Sequence, residues 1–506
     1  MILAIGLEAA EITLIEKYVE LGHLPAFARL IQDKSLVKAL SPSSISSGST
    51  WVSLITGTNP AKHGMGFSHR QLKTGSYDIV KKYAEETKAP FFWDLEEFKD
   101  KKVAILDVPA TCLKPGINGK MIVGWGSESL NAPRSSWPKS LLHEMIDKHG
   151  DHPLNQWYQK IPTTVAEWTE LESKILLGLE RRSNMYEDLL ISDDWDLFFA
   201  SVAETHWAGH FFMHMIEPKH ISYHESLAKQ FESTILKVYQ RCDALIEKLS
   251  SLKPEAHLLV FSNTGMGPNF SGRHHITPLL QAMGLFPPAS ESVLPVKRFS
   301  NSSIKKIEDF IGPENIEVIK KFIPERFWDR ATRKMLNIGS RWRESKAFEL
   351  PSDYTGCIRI NLEGREPHGK VKMEEYRNIC QSIKQTFLAL TDEGGQKIVD
   401  EVLLIRDVYT GDHVDDLPDI AIVWSGQQSI GKIISPQYGS FSGALEDKRT
   451  GAHLPYGFIG YYGGTPMPSN DKKILVEDIA PTILKLLSID IPGHMEGRPL
   501  IQKAIF

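Results

Sequence analysis

Three histidines stand where one metal ion could be held. The segment Asp196-Leu-Phe-Phe-Ala-Ser-Val-Ala-Glu-Thr-His206 reads as a buried strand that runs out into polar residues, and His210 follows four residues later. That spacing puts both imidazoles on one face of a helical turn, as two ligands of one ion require. His453 lies in Arg449-Thr-Gly-Ala-His453-Leu-Pro-Tyr-Gly457, just before the apolar run that begins at Phe458. Three imidazoles with an open position suit a catalytic divalent metal, zinc first, with iron or manganese as alternatives. His214, one turn beyond His210, is expected to pack or to support the ligands.

Other strand ends carry polar groups. Glu8 follows the apolar run Ile2–Leu7, Ser47 sits in a Ser/Gly-rich turn before an apolar helix, and Asn263-Thr264 follow a strand-like run over 258–262. Ligands of parallel α/β sheets bind beyond the carboxyl ends of the strands, so these are site candidates. Each has a plainer reading: Ser47 as a turn or N-cap residue, Glu8 as a capping carboxylate. Asn361, Arg365, His63, Trp51 and Trp207 are expected to be structural, and His274-His275 to be solvated or to line the substrate.

The elements that position these residues alternate between short apolar runs and helical patterns. That alternation marks an α/β fold, a mainly parallel sheet sandwiched by helices. Strands are expected at 2–7, 36–40, 103–108, 121–123, 196–202, 258–262, 357–362 and 419–424. Helices are expected at 11–31 (broken near Gly22 and Pro25), 51–56, 221–250 and 474–489. At 506 residues the chain exceeds one simple core. Its apolar fraction of 42% and charged fraction of 24% are those of a globular protein.

A formal charge of -5 argues against nucleic-acid binding and a basic membrane patch. Cys112, Cys242, Cys357 and Cys380 lie far apart without CxxC spacing, as reduced thiols of a cytoplasmic protein would. No run approaches the ~20 apolar residues that span a bilayer, and the N-terminus lacks a signal-peptide pattern. Cytoplasmic localisation, no membrane partner and a possible homo-oligomer are the expectations.

Four motifs, in order, give the chain its resemblance to a known family. They are Ser47-Gly-Ser-Thr-Trp-Val-Ser-Leu-Ile-Thr-Gly57 with Pro60 and His63-Gly64; Val260-Phe-Ser-Asn263-Thr264-Gly-Met266; Ile358-Arg-Ile-Asn361-Leu-Glu-Gly-Arg365; and Ile479-Ala-Pro481 with Met495-Glu-Gly-Arg-Pro-Leu500. Together the chain resembles the alkaline phosphatase superfamily, in particular its type I phosphodiesterase/nucleotide pyrophosphatase branch. The resemblance implies an alkaline phosphatase-like core over 1–130, 190–290 and 410–506, a helical cap over 131–189 and an inserted subdomain over 291–409.

It also implies a two-metal site, from which this chain departs. One family metal takes an Asp and two His; the matching positions hold His206, His210 and His453. The other takes two Asp, a His and the Ser/Thr nucleophile; the matching positions hold Glu8, Asn263, Thr264 and Ser47. One carboxylate would then face two cations at the ~4 Å spacing of two-metal sites. Asn263 and Thr264 are neutral, weak donors. The expectation is one metal on the three histidines, with Ser47 as nucleophile and Asn263 and Thr264 as hydrogen-bond donors to a small anionic substrate. The function expected is a hydrolase or transferase of phosphoester-like or sulfoester-like groups. The alternatives are a repurposed mononuclear enzyme with non-phosphate chemistry, or a noncatalytic binding protein.

Overall fold

The computed structural model describes residues 1–33, 35–42, 47–66, 70–127, 132–154, 161–288, 338–352, 354–443, 449–463 and 473–501. Its centre is an eight-stranded sheet. From one edge the order is Leu36–Leu40, Tyr456–Tyr462, His257–Ser262, Ile2–Leu7, Leu197–Val202, Val103–Leu106, Gly119–Val123 and Ser135–Trp137. Ile2–Leu7 lies parallel to both of its neighbours, with Ala4 opposite Phe199 on one side and Leu259 on the other. Tyr456–Tyr462 and Ser135–Trp137 run antiparallel to the strands they pair with.

The strands are apolar throughout because both faces are covered. Leu3, Ile5 and Leu7 belong to one core with Phe198, Ala200 and Val202, whereas Ile2 and Ala4 join Leu197 and Phe199 in the core on the opposite face. This period of two follows from the pleat.

The segment expected as a cap supplies an ordinary layer of the sandwich. Helix Val165–Ile191 starts at a capping box between Thr164 and Glu167. It buries Trp168, Leu171, Ile175, Leu179, Arg182, Tyr186 and Leu189 as one stripe. The apolar members of that stripe share a core with Leu3 and Ile5. The stripe recurs every three or four residues, and Arg182 is its one charged member.

A second, antiparallel sheet has the order Ala347–Leu350, Gly356–Ile360, Ile420–Trp424, Val399–Leu404 and is covered by helix Met373–Leu388. It crosses the boundary expected between 409 and 410, because Ile420–Trp424 pairs with strands on both of its sides. Helix Ile276–Ala282 packs on it as well, although that helix precedes residue 291. The first part of the expected insertion, 291–337, lies outside the described residues. Four free, buried cysteines are distributed over both parts of the chain.

Candidate metal centre

Strand Leu197–Val202 ends in Ala203, and helix Glu204–Phe212 begins at once. The first turn of that helix is anchored by buried charge. Glu204 takes Arg182 Nε on both carboxylate oxygens, at 3.0 and 2.9 Å, and His152 Nε2 at 3.0 Å. Arg182 also donates to Asp107 Oδ2 at 2.8 Å and to the Ser201 carbonyl at 3.0 Å. Asp107 in turn accepts the backbone N–H groups of Trp125 and Gly126. Asp107 holds a left-handed φ of 53°, a costly conformation for a residue other than glycine. Arg182, Asp107 and Glu204 have no exposure to solvent. Burial pushes Glu204 up, but Arg182 and His152 outweigh it and hold the carboxylate at about 2. Thr205 Oγ1 donates to the Glu8 carbonyl at 2.6 Å, tying the turn to the neighbouring strand.

From this turn His206 and His210 project toward His453, which lies on strand Gly451–Leu454 opposite Met266. The Nε2 atoms of His206 and His210 are 2.8 Å apart, and those of His206 and His453 are 3.3 Å apart. Donor atoms of all three residues lie within 4.8 Å of one another, and no other such group occurs among the described residues. A Cβ on Gly451 would fall 2.1 Å from the Gly209 carbonyl oxygen, so glycine is what lets His453 approach the helix.

His210 Nδ1 lies 2.9 Å from the Gly451 carbonyl, which can only accept. Nδ1 therefore carries the proton and Nε2 presents its lone pair to the cluster, the second-partner pattern of metal-bound imidazole. Tyr354 Oη is 3.1 Å from the same Nδ1. Burial, then His206 and Arg449, hold His210 well below its ordinary value. Burial and Arg449 bring His453 to about 3. Neutral imidazoles converging on one point fit a divalent cation.

The second set of candidates does not converge in this way. Asn263 Oδ1 accepts the Ala9 N–H at 3.0 Å and Asn263 Nδ2 donates to Thr50 Oγ1 at 2.6 Å. Thr264 Oγ1 donates to the Leu454 carbonyl. Glu8 lies outside the histidine group, with Oε1 3.9 Å from His206 Nδ1. Burial, reinforced by Asp107, raises Glu8 to about 8, so this carboxyl tends to hold its proton. These residues do not fit a second cation. Ser47 opens helix Ser47–Thr56, one turn before Thr50; its side chain lies outside the described residues.

The remaining candidates are structural or peripheral. His63 accepts the Met65 N–H on Nδ1, so its Nε2–H donates to Ser53 Oγ at 2.9 Å; it cannot serve Ser53 as a base. His214 bonds Thr450 Oγ1 and packs on Trp168. Trp51 packs edge-on against Phe261, and Trp207 stacks on Phe211. Asn361 donates to the Trp342 and Ser345 carbonyls, and Arg365 pairs with Asp419 and Glu366 inside the second sheet. The rings of His274 and His275 lie 3.9 Å apart, centroid to centroid, beside Gly443. Sequence reading did not single out Asp107, His152, Arg182, Glu204 or Tyr354. Arg182 could have been found from its place on an apolar helical stripe.

A mainly parallel α/β sandwich with three imidazoles gathered at its strand ends defines the fold and the candidate site. The chain matches the type I phosphodiesterase / nucleotide pyrophosphatase family over residues 2–440 and belongs to it. It is thereby a phosphodiesterase- or phosphatase-type hydrolase. Among solved structures, alkaline phosphatase PafA shares 11% identity at a TM-score of 0.50, with 99% of this chain and 98% of that one covered. Phosphonoacetate hydrolase from Sinorhizobium meliloti 1021, in complex with phosphonoformate, shares 13% at 0.48, with 95% and 94% covered. Human ectonucleotide pyrophosphatase / phosphodiesterase 5 shares 11% at 0.46, with 98% and 96% covered. No curated protein matches by sequence. No helix among the described residues is long and apolar enough to cross a membrane.

Proposed function

We propose that this enzyme hydrolyses a phosphoester-like or sulfoester-like bond in a small anionic substrate, using one zinc ion held by His206, His210 and His453. The observation that carries the reading is the convergence of three imidazoles, with the His210 tautomer fixed by Gly451. Such an ion, when bound, supplies Lewis acidity toward an ester oxygen or a water. We assign Ser47 the role of nucleophile. Its oxygen would form an ester with phosphorus or sulfur as the alcohol leaves, and water would then cleave that ester. The position supports this, since the first N–H groups of a ten-residue helix stabilise negative charge nearby. The four free buried thiols support a cytoplasmic location.

A second reading has its own support. The side chains of Asn263 and Thr264 are already engaged within the fold, which weakens their assignment as donors to substrate and favours a repurposed mononuclear centre. Zinc-loaded protein assayed against bis-p-nitrophenyl phosphate, p-nitrophenyl phosphate and p-nitrophenyl sulfate separates the two. Turnover of at least one, lost on chelation and regained with zinc, is expected. Inertness toward all three with zinc retained favours the repurposed centre.

A further inference from the structure

Each imidazole of the centre turns one nitrogen inward and one outward. The inward atoms are the Nε2 atoms, 2.8 Å apart between His206 and His210 and 3.3 Å apart between His206 and His453. Outward, His210 Nδ1 lies 2.9 Å from the Gly451 carbonyl, and His453 Nδ1 is buried with no hydrogen-bond partner among the described residues. The outward Nδ1 of His206 faces Glu8, whose Oε1 is 3.9 Å away.

The backbone places Glu8 there. The residue follows strand Ile2–Leu7, its N–H donates to the Val202 carbonyl at 2.8 Å, and its own carbonyl accepts Thr205 Oγ1 at 2.6 Å. Both contacts flank the turn that leads into His206. Glu8 is only 6% exposed, yet its carboxyl makes no hydrogen bond among the described residues. A buried carboxyl without a partner is costly, so its presence calls for a group that completes it.

We infer that Glu8 is a positioning residue of the metal centre: its carboxyl oxygen accepts the Nδ1–H of His206 and so holds Nε2 toward the ion, without ligating that ion. The inference rests on the three-histidine reading of the centre and adds a residue outside its ligand set. An imidazole that gives its Nε2 lone pair to a cation must carry its proton on Nδ1, where it needs an acceptor. The present separation is about 1 Å longer than an ordinary N–H···O bond, a gap that a small turn of either side chain closes. Glu8 thus does for His206 what the Gly451 carbonyl does for His210.

Zinc competition against a chelator and nitrogen-edited NMR of histidine-labelled full-length protein test this without turnover. Glu8→Ala should bind zinc about 10–100-fold more weakly than the wild type. Glu8→Gln keeps an oxygen acceptor and should stay within about threefold of the wild type. The His206 Nδ1–H proton should be protected from exchange in the zinc-loaded wild type and shift or vanish in Glu8→Ala. The metal-free melting temperature should not fall in Glu8→Ala, because without the ion the carboxyl has no hydrogen bond to lose. Wild-type zinc affinity in Glu8→Ala, or an Nδ1–H signal indifferent to it, would overturn the inference and leave the three-histidine centre standing. A Glu8→Gln as weak as Glu8→Ala would make Glu8 a ligand, and a lower metal-free melting temperature would make it merely structural; either result also overturns the inference. Failure of the wild type to bind zinc would remove the centre and this inference with it.

Discussion

His206 Nε2 and His210 Nε2 lie 2.8 Å apart on successive turns of one helix. His210 has committed its proton to the Nδ1 side, so its inward nitrogen offers only a lone pair. His453 Nε2 closes in at 3.3 Å from His206. Such a contact is satisfied by an N–H that His206 donates to a neighbouring lone pair or by a cation that takes every lone pair. Burial, joined by Arg449, holds His210 and His453 in the neutral form, so each can offer a lone pair to a cation.

Removing one ligand and removing the nucleophile should have separable effects. His210→Ala should lose metal and activity together. Ser47→Ala should keep its metal and lose activity by at least ~100-fold, the scale of removing one group that acts on the transition state. Metal analysis and kcat on the same preparations measure both. A fully active Ser47→Ala would eliminate the covalent route.

A second metal should be recoverable. In Asn263→Asp, the new carboxylate can still accept the Ala9 N–H, and Thr264→His frees the Leu454 carbonyl while adding an imidazole. The double variant should retain more metal per chain than the wild type after dialysis. Unchanged content would contradict the idea that Asn263 and Thr264 are what deprive the chain of a second ion.

Arg182 should matter for stability as much as a large core side chain. Arg182→Met would take the guanidinium from Asp107 and Glu204, which have no exposure to solvent, leaving only two backbone N–H groups on Asp107 and His152 on Glu204. Breaking a buried ion pair from one side costs about 3–5 kcal/mol. Urea unfolding of the metal-free protein reads this directly, and a loss below about 1 kcal/mol would contradict the network's role.

The pH dependence of stability has a definite sign at Glu477. Burial, with Asp478 and Glu496 close by, raises this carboxyl to about 8, and one of its oxygens has no hydrogen-bond partner. Between the ordinary carboxyl range and about 8, the folded chain keeps a proton that the unfolded chain has lost. Its contribution is therefore whole at low pH and is lost as pH rises through that window, at up to about 1.4 kcal/mol per pH unit. Glu477→Gln should flatten the slope of melting temperature between about pH 5 and 8. A slope unchanged by the substitution would count against it.

Much of this was legible in the sequence because strand ends carry local signals. The apolar runs Ile2–Leu7 and Leu36–Leu40 are strands with those bounds, and the His206/His210 spacing alone places two imidazoles on one helical face. His453 depended on motif order, since 243 residues separate it from His210. The charged network was not legible. Arg182 and Asp107 meet across 75 positions, so the place of Arg182 on an apolar stripe signals its burial but not its partners. The second sheet escaped for a similar reason: antiparallel pairing of Ile420–Trp424 with Gly356–Ile360 leaves no local trace of partner choice.

The central claim is one ion on three histidines. Elemental analysis with zinc X-ray absorption on dialysed protein tests it most directly. The account predicts about one zinc per chain, with three imidazole nitrogens at ~2.0–2.1 Å and no sulfur, and loss of that zinc in His453→Ala. Two tightly held ions per chain, or a first shell without imidazole, would contradict it.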